Sequence, residues 1–130
     1  MADEARDEAL AWLDKAEQDL SAARLILQGK GPSTVGCYLG QQALEKLLKA
    51  VLVFRGLGPP RSHDLVDLHR RVVACGFDPQ VSAADLAAWT DYAVAGRYPG
   101  FGDLESERDL LPLLTCAADL ARCVRSTLTG

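Results

Sequence analysis

The strongest chemical signal in this sequence is a short segment that carries Arg55, Arg61 and His63. The Gly- and Pro-rich stretch between the two arginines predicts a turn, and Ser62 could cap a following helix, which would put His63 at the first helical position. Free backbone N–H groups and the helix dipole disfavour imidazolium there. A neutral His63 could act as a general base while the arginines hold phosphate oxygens. The alternative is that His63 pins the turn and both arginines are solvated.

A second group of candidates comprises Asp19, Arg97 and Tyr98. Arg97 continues the inner face of the predicted fourth helix and Asp19 falls between apolar residues of the first, so each needs a partner. An Asp19–Arg97 bond between helices and a ligand-binding role for each are both open. Tyr98 precedes a proline and could stack on a nucleobase or close the end of the bundle. Lys49, in the predicted second helix, is also a candidate ligand-binding residue.

Other kinds of chemistry find no support in the sequence. The four cysteines contain no Cys-x-x-Cys pair, and no histidine lies at metal-ligand spacing from them, so we expect no metal site. We expect no cofactor, because Gly-rich phosphate loops and nucleophile elbows are absent. Metal-independent RNA cleavage stays open, since it needs little more than a base or acid and cations near the phosphate.

Length and charge restrict the kind of protein further. A chain of 130 residues with net charge −4 is expected to be one domain over residues 1–130, and any nucleic-acid contact has to be local. No apolar stretch is long enough to span a membrane. The acidic N-terminus lacks the apolar core of a secretory signal, so the expected compartment is the cytoplasm.

Apolar residues spaced three and four apart predict an all-α, up-and-down bundle of four or five helices. The predicted helices cover residues 4–28, 35–55 and 62–75, a fourth after Ser82, and a last one from about residue 105 or later to 128, with Pro112 at a kink or near its start. In the second helix, Gly36 and Gly40 predict the close approach of another helix. Its opposite face mixes polar and apolar residues, which indicates contact with a second layer or a partner subunit.

Four ordered blocks of the sequence resemble the HEPN family, the higher eukaryotes and prokaryotes nucleotide-binding domain. They are WLDKAEQDLSAA at residues 12–23, QQALEKLLKA at 41–50, PRSHDL at 60–65 and RYP at 97–99. The resemblance implies a helical bundle that often forms a homodimer with a cleft between subunits. It also implies a small nucleotidyltransferase-fold partner, often in a toxin–antitoxin pair.

Active ribonucleases of the wider superfamily carry an arginine followed by a histidine at a spacing that lies between the two spacings this segment offers. Here seven residues separate Arg55 from His63, and Arg61 lies only two positions before His63. Binding of a nucleotide or RNA phosphate near Arg61 and His63 is therefore our first hypothesis. The second is a metal-independent endoribonuclease toxin in which His63 acts with Arg55 or Arg61. The third is an assembly module without a ligand, with the mixed face of the second helix as its interface.

Overall fold

Five helices form the described part of the chain, which comprises residues 2–29, 31–95 and 111–130 of a computed structural model. They are α1 (Ala2–Gln28), α2 (Ser33–Phe54), α3 (Leu65–Ala74), α4 (Ala83–Ala95) and α5 (Leu111–Thr129). These ranges contain no strand. The prediction of an all-α bundle is confirmed.

Helices α1 and α2 form an antiparallel pair on one side of the bundle. The apolar stripe of α1 is buried as its spacing predicts, at Leu13, Ala16, Leu20, Ala23 and Leu27. The chain then turns at Gly31 and Pro32 and returns as α2. This pairing brings the start of α2 against the end of α1 and the middle of α2 against the middle of α1.

Helix α2 lies at the centre of the fold and contacts each of the other four helices. Small residues let its neighbours approach closely, as predicted. A Cβ built on Gly36 would lie 3.2 Å from a methyl carbon of Leu27 in α1, and one on Gly40 would lie 3.1 Å from Leu113 in α5. A side chain at either position would therefore require Leu27 or Leu113 to shift by a few tenths of an ångström.

The C-terminal half of the mixed face of α2 lies mostly inside the chain, whereas Val35 at its start is 45% exposed. Glu45, Lys49 and Val53 on that face are only 4%, 3% and 2% exposed. The contact predicted for this face is therefore provided to a large extent by other parts of the same chain. Charged residues are almost never buried to this degree unless they are paired, so the partners of Glu45 and Lys49 are of interest.

Two helix starts differ from the sequence prediction. Helix α3 is capped by Asp64, whose carboxylate accepts a hydrogen bond from the Val66 N–H at 2.9 Å. Ser62 instead accepts from the Asp64 N–H at 3.2 Å, so it stabilises the turn before the cap. The N-cap position of α2 is Pro32, and the helix starts at Ser33, two residues before its predicted start at residue 35. Either Ser or Asp can cap a helix, and spacing alone does not decide between neighbours.

The last two helices begin close to their predicted positions. The Ser82 hydroxyl accepts from the Asp85 N–H at 3.0 Å, which is the cap predicted for α4. Pro112 is the second residue of α5, where a missing N–H costs no helical hydrogen bond. No helix within the described residues is long and apolar enough to cross a membrane.

Candidate functional site

A buried carboxylate on the mixed face of α2 is the centre of the candidate site. Glu45 Oε2 lies 3.1 Å from His63 Nδ1 and 3.4 Å from Lys49 Nζ. Lys49 follows Glu45 by one helical turn, whereas His63 comes from the turn that precedes α3. Two cationic or potentially cationic groups from different elements therefore meet one carboxylate.

His63 is held at one ring nitrogen and open at the other. Its side chain is 81% exposed, although Nδ1 contacts a carboxylate that is almost entirely buried. A carboxylate only accepts hydrogen bonds, so Nδ1 carries the proton in this contact. Nε2 is then left for a ligand, as a hydrogen-bond acceptor when the ring is neutral and as a donor when it is protonated.

The predicted helical position of His63 is wrong, because the cap of α3 is Asp64, two residues after the predicted cap at Ser62. His63 precedes Asp64 and so lies outside the helix, away from the first-turn position assumed from the sequence. Its orientation comes from Glu45, and the helix dipole is not needed to explain it. An acidic residue that fixes one nitrogen of an imidazole is the arrangement by which proteins set a histidine tautomer.

Lys49 is buried behind Glu45 and lies over an aromatic ring. Its Nζ is 5.6 Å from the centroid of the Trp12 ring in α1. This cation–π contact and the ion pair with Glu45 offset part of the cost of taking an ammonium group out of water. Glu45 Oε1 is also buried, and it finds no hydrogen-bond donor among the described residues.

Asp19 pairs with Lys46, one position along α2 from Glu45. The two side chains form an ion pair at the α1–α2 contact, and each is about one-quarter to one-fifth exposed. The partner that the structure gives Asp19 is thus a lysine of the neighbouring helix. Arg97, the partner suggested by the sequence, lies outside the described residues, as does Tyr98.

The two arginines of the predicted site lie in different surroundings. Arg61 is exposed beside His63 in the turn, and Arg55 follows the last residue of α2. Arg55 lines a small cavity together with Phe77, Thr127 and Leu128. Within the described part of the chain, neither arginine makes an ion pair, and no hydrogen bond joins Arg55 to His63.

His69, the second histidine, has a structural contact. Its Nε2 lies 2.7 Å from the carbonyl oxygen of Val81, so Nε2 carries the proton and the carbonyl accepts it. This hydrogen bond fixes the end of the connection between α3 and α4 against α3. The two histidines of the chain are therefore expected to adopt opposite tautomers.

Two of the cysteines have thiols that are difficult to ionise. Burial raises the pKa of the Cys37 thiol to about 11. Burial, with the negative charges of Asp119 and Asp85, likewise raises the pKa of Cys116 to about 11. All four cysteines are free thiols. Among the described residues, no three His, Cys, Asp or Glu side chains lie close enough together to hold a metal ion.

Sequence reasoning missed three members of this site: Glu45, Lys46 and Trp12. The available signal was the row of polar side chains on the mixed face of α2, at one-turn spacing in a helix that is otherwise apolar. That row contained Lys49, which we predicted as a site residue. What it could not indicate was which loop would fold back onto it.

Comparisons with known proteins agree on the family. The model of the HEPN domain matches residues 9–127 of this chain. The crystal structure of an archaeal HEPN homologue is similar to it, with a TM-score of 0.64 and 25% sequence identity, over 92% of this chain and 97% of that chain. The comparison with curated proteins gave no significant match. Because the family match covers nearly the whole chain, this protein belongs to the HEPN domain family.

Proposed function

We propose that this HEPN domain binds a phosphate group of RNA or of a nucleotide at His63 and Arg61. The observation that carries the proposal is the contact between Glu45 and His63, which fixes one ring nitrogen and leaves the other exposed. A histidine held in this way presents one defined polar atom to a ligand at little entropic cost. Asp19, Lys49, Arg97 and Tyr98 remain part of the proposal as sequence-based candidates.

Arg61 supplies the permanent charge in this proposal. It lies two residues before His63, is exposed, and has no acidic partner among the described residues. Guanidinium groups bind phosphate oxygens through two parallel hydrogen bonds. An unpaired arginine beside an oriented imidazole is therefore a local anion site on a protein whose net charge is −4.

Binding of short RNA tests the proposal directly. We expect a fluorescently labelled oligoribonucleotide to bind the purified protein at low salt, where phosphate contacts are strongest. His63→Ala or Arg61→Ala should weaken binding by about tenfold to 100-fold, because one hydrogen bond to a charged group contributes about 1.5–3 kcal/mol. Anisotropy titrations measure the change.

Matched substitutions elsewhere control for general effects. His69→Gln changes the histidine that bonds to Val81, and Arg122→Ala removes an exposed arginine of α5. Both should bind RNA as the unmodified protein does. If no RNA or nucleotide binds at low salt, or if the controls lose as much affinity as the site variants, the proposed site is wrong.

We also propose two protein partners: a second copy of this chain and a nucleotidyltransferase-fold protein encoded beside it, as in toxin–antitoxin pairs. Family membership supports both. In addition, Leu25, Leu57 and Leu111 each expose more than half of their surface. Light scattering on the protein alone tests for the homodimer. Light scattering after co-expression with the protein encoded beside it tests for the second partner. A strict monomer that forms no complex with the neighbour would count against both partners.

A ribonuclease function is the second candidate, and the same Glu45–His63 contact favours it. A carboxylate behind an imidazole stabilises the cation that forms when the other nitrogen takes a proton. In that reaction His63 Nε2 would take the proton of a ribose 2′-hydroxyl. The 2′-oxygen would attack the adjacent phosphorus while the bond from phosphorus to the 5′-oxygen breaks. The 5′-oxygen would take a proton from water, which gives a cyclic phosphate end and a 5′-hydroxyl end.

Cleavage is tested separately from binding. Purified protein is incubated with RNA in the presence of a metal chelator, and the products are analysed for cyclic phosphate ends. Cleavage by the unmodified protein but not by His63→Ala would establish the enzyme. RNA that stays intact after prolonged incubation, while binding persists, would leave binding as the function.

A further inference from the structure

A groove beside Trp12 lies on the contact between α1 and α2. It has a volume of about 220 Å³ and is lined by Glu8, Ala11, Trp12, Lys15 and Lys46. Trp12 is half-buried, and the groove surface is mostly apolar. The size is sufficient for one flat aromatic ring system but small for a drug-sized ligand.

Two lysines lie at the edge of this aromatic groove. Lys15 lies one helical turn after Trp12, is exposed, and makes no ion pair within the described residues. Lys46 reaches the groove from α2 and is held there by its ion pair with Asp19. Glu8 is the acidic residue of the lining. Aromatic surface flanked by cations suits a polyanion that carries flat rings, which describes single-stranded RNA.

The groove is connected to the proposed phosphate site through two buried side chains. Lys49 Nζ lies over the Trp12 ring, 5.6 Å from its centroid, and 3.4 Å from Glu45 Oε2. Glu45 in turn contacts His63. The Trp12 groove and His63 therefore lie on either side of the same pair of α2 side chains, within reach of one short oligonucleotide.

We infer that the Trp12 groove is a nucleobase subsite for single-stranded RNA, an inference that rests on the proposed function. One base stacks on the exposed part of the Trp12 ring, and Lys15 contacts the phosphate next to that base. His63 and Arg61 hold another phosphate of the same strand. The subsite gives the protein a preference for RNA over phosphate chains without bases, which the His63 site alone does not provide.

Tryptophan fluorescence tests the subsite without changing Trp12. The chain has two tryptophans, so Trp89→Phe leaves Trp12 as the reporter. Hexauridylate is titrated into this variant, and an abasic ribose–phosphate strand of the same length serves as the comparison. We expect hexauridylate to quench Trp12 and to bind about tenfold more tightly than the abasic strand, because stacking of one base on an aromatic side chain has about this effect.

Substitutions give a second readout. Lys15→Ala should weaken hexauridylate binding and lower the slope of log affinity against log salt by about one, as loss of one phosphate contact does. Trp12→Leu should remove the preference for hexauridylate over the abasic strand. Thermal unfolding of Trp12→Leu checks that this variant is folded. If Trp12→Leu is unstable, the fluorescence result on Trp89→Phe still tests the subsite.

The outcomes separate the subsite from the function on which it rests. If both strands bind equally and depend on His63 while Trp12 fluorescence stays constant, the subsite is wrong and phosphate binding stands. If neither strand binds, phosphate binding is wrong and the subsite falls with it. Quenching by hexauridylate that requires a higher ligand concentration in Lys15→Ala supports both.

Discussion

Ion pairs occur on two sides of α1, and their depth differs. On the α2 side, Glu45 and Lys49 are both at least nine-tenths buried. On the α5 side, Arg125 is 43% exposed and pairs with Asp14 at 3.2 Å and with Glu17. The hydrogen bond to Glu17 raises the pKa of Arg125. The α2 side therefore has one ion pair inside the bundle, next to the partly exposed Asp19–Lys46 pair, whereas the charges on the α5 side lie at the surface.

We explain this difference by two roles for charged side chains: the exposed ion pairs join helices, and the buried pair serves the binding site. Exposed ion pairs join helices at little cost and with little gain, and salt screens them. A buried pair costs more desolvation than an apolar pair of the same volume, so stability does not explain its presence. The buried Glu45–Lys49 pair lies directly behind the exposed ring of His63, and orienting that ring for a ligand is the role we assign to it.

The largest expected effect comes from removing one member of the buried pair. Lys49→Met should lower the free energy of unfolding by about 3–5 kcal/mol, because the buried Glu45 then loses its lysine counter-charge and keeps only the contact with His63. Urea unfolding followed by circular dichroism measures this. The double variant Glu45→Leu with Lys49→Met should recover most of the loss but still bind RNA poorly. A loss below about 1 kcal/mol in the single variant would contradict the difference between the two sides.

The exposed cluster should respond much less. Arg125→Ala should cost about 1 kcal/mol or less, because both acidic partners stay solvated when the arginine is removed. Raising the salt concentration should shrink this cost further, since exposed pairs are screened. Unfolding at low and high salt checks both points, with Arg122→Ala as the matched control on α5. If Arg125→Ala lowered the free energy of unfolding as much as Lys49→Met does, the buried and exposed ion pairs would not differ in the way we describe.

The smallest effect concerns Asp67 in α3, whose ion pairs are also at the surface. The hydrogen bond from Arg70, with further contacts from Ser62 and Arg71, lowers the pKa of Asp67 below 3.8. A lowered pKa in the folded state adds stability above 3.8 that is lost as the pH falls through the folded-state value. Asp67→Asn should therefore be slightly less stable near neutral pH. The difference in unfolding free energy between Asp67→Asn and the unmodified protein should disappear in acid, where Asp67 is protonated. A difference that stays constant from neutral to acidic pH would show that the Asp67 carboxylate does not provide this stability.

Much of the fold could be predicted from sequence because helix formation here depends on local spacing. The apolar stripe of α1 ends at Leu27, directly before the turn, and the helix ends there in the structure. The start of α3 could not be fixed in the same way, because Ser62 and Asp64 are both good caps. That uncertainty of a few residues changed the position assigned to His63.

The site could be predicted only in part because it depends on contacts between distant parts of the chain. His63 and Lys49 were found from their residue types and positions. Glu45, which joins them, lies eighteen residues before His63, and only the fold brings the turn back onto α2. Asp19 was expected to need a partner, but several cations could have met that need, and the antiparallel packing of α1 and α2 selects Lys46.

The most direct test is a long-range proton–nitrogen NMR spectrum of the two histidine rings at mildly alkaline pH, before and after addition of tripolyphosphate. We predict that His63 carries its proton on Nδ1 and His69 on Nε2, and that tripolyphosphate shifts Nε2 of His63 while leaving His69 unchanged. Protonation of His63 on Nε2, together with no response to tripolyphosphate, would contradict both the orienting role of Glu45 and the phosphate site.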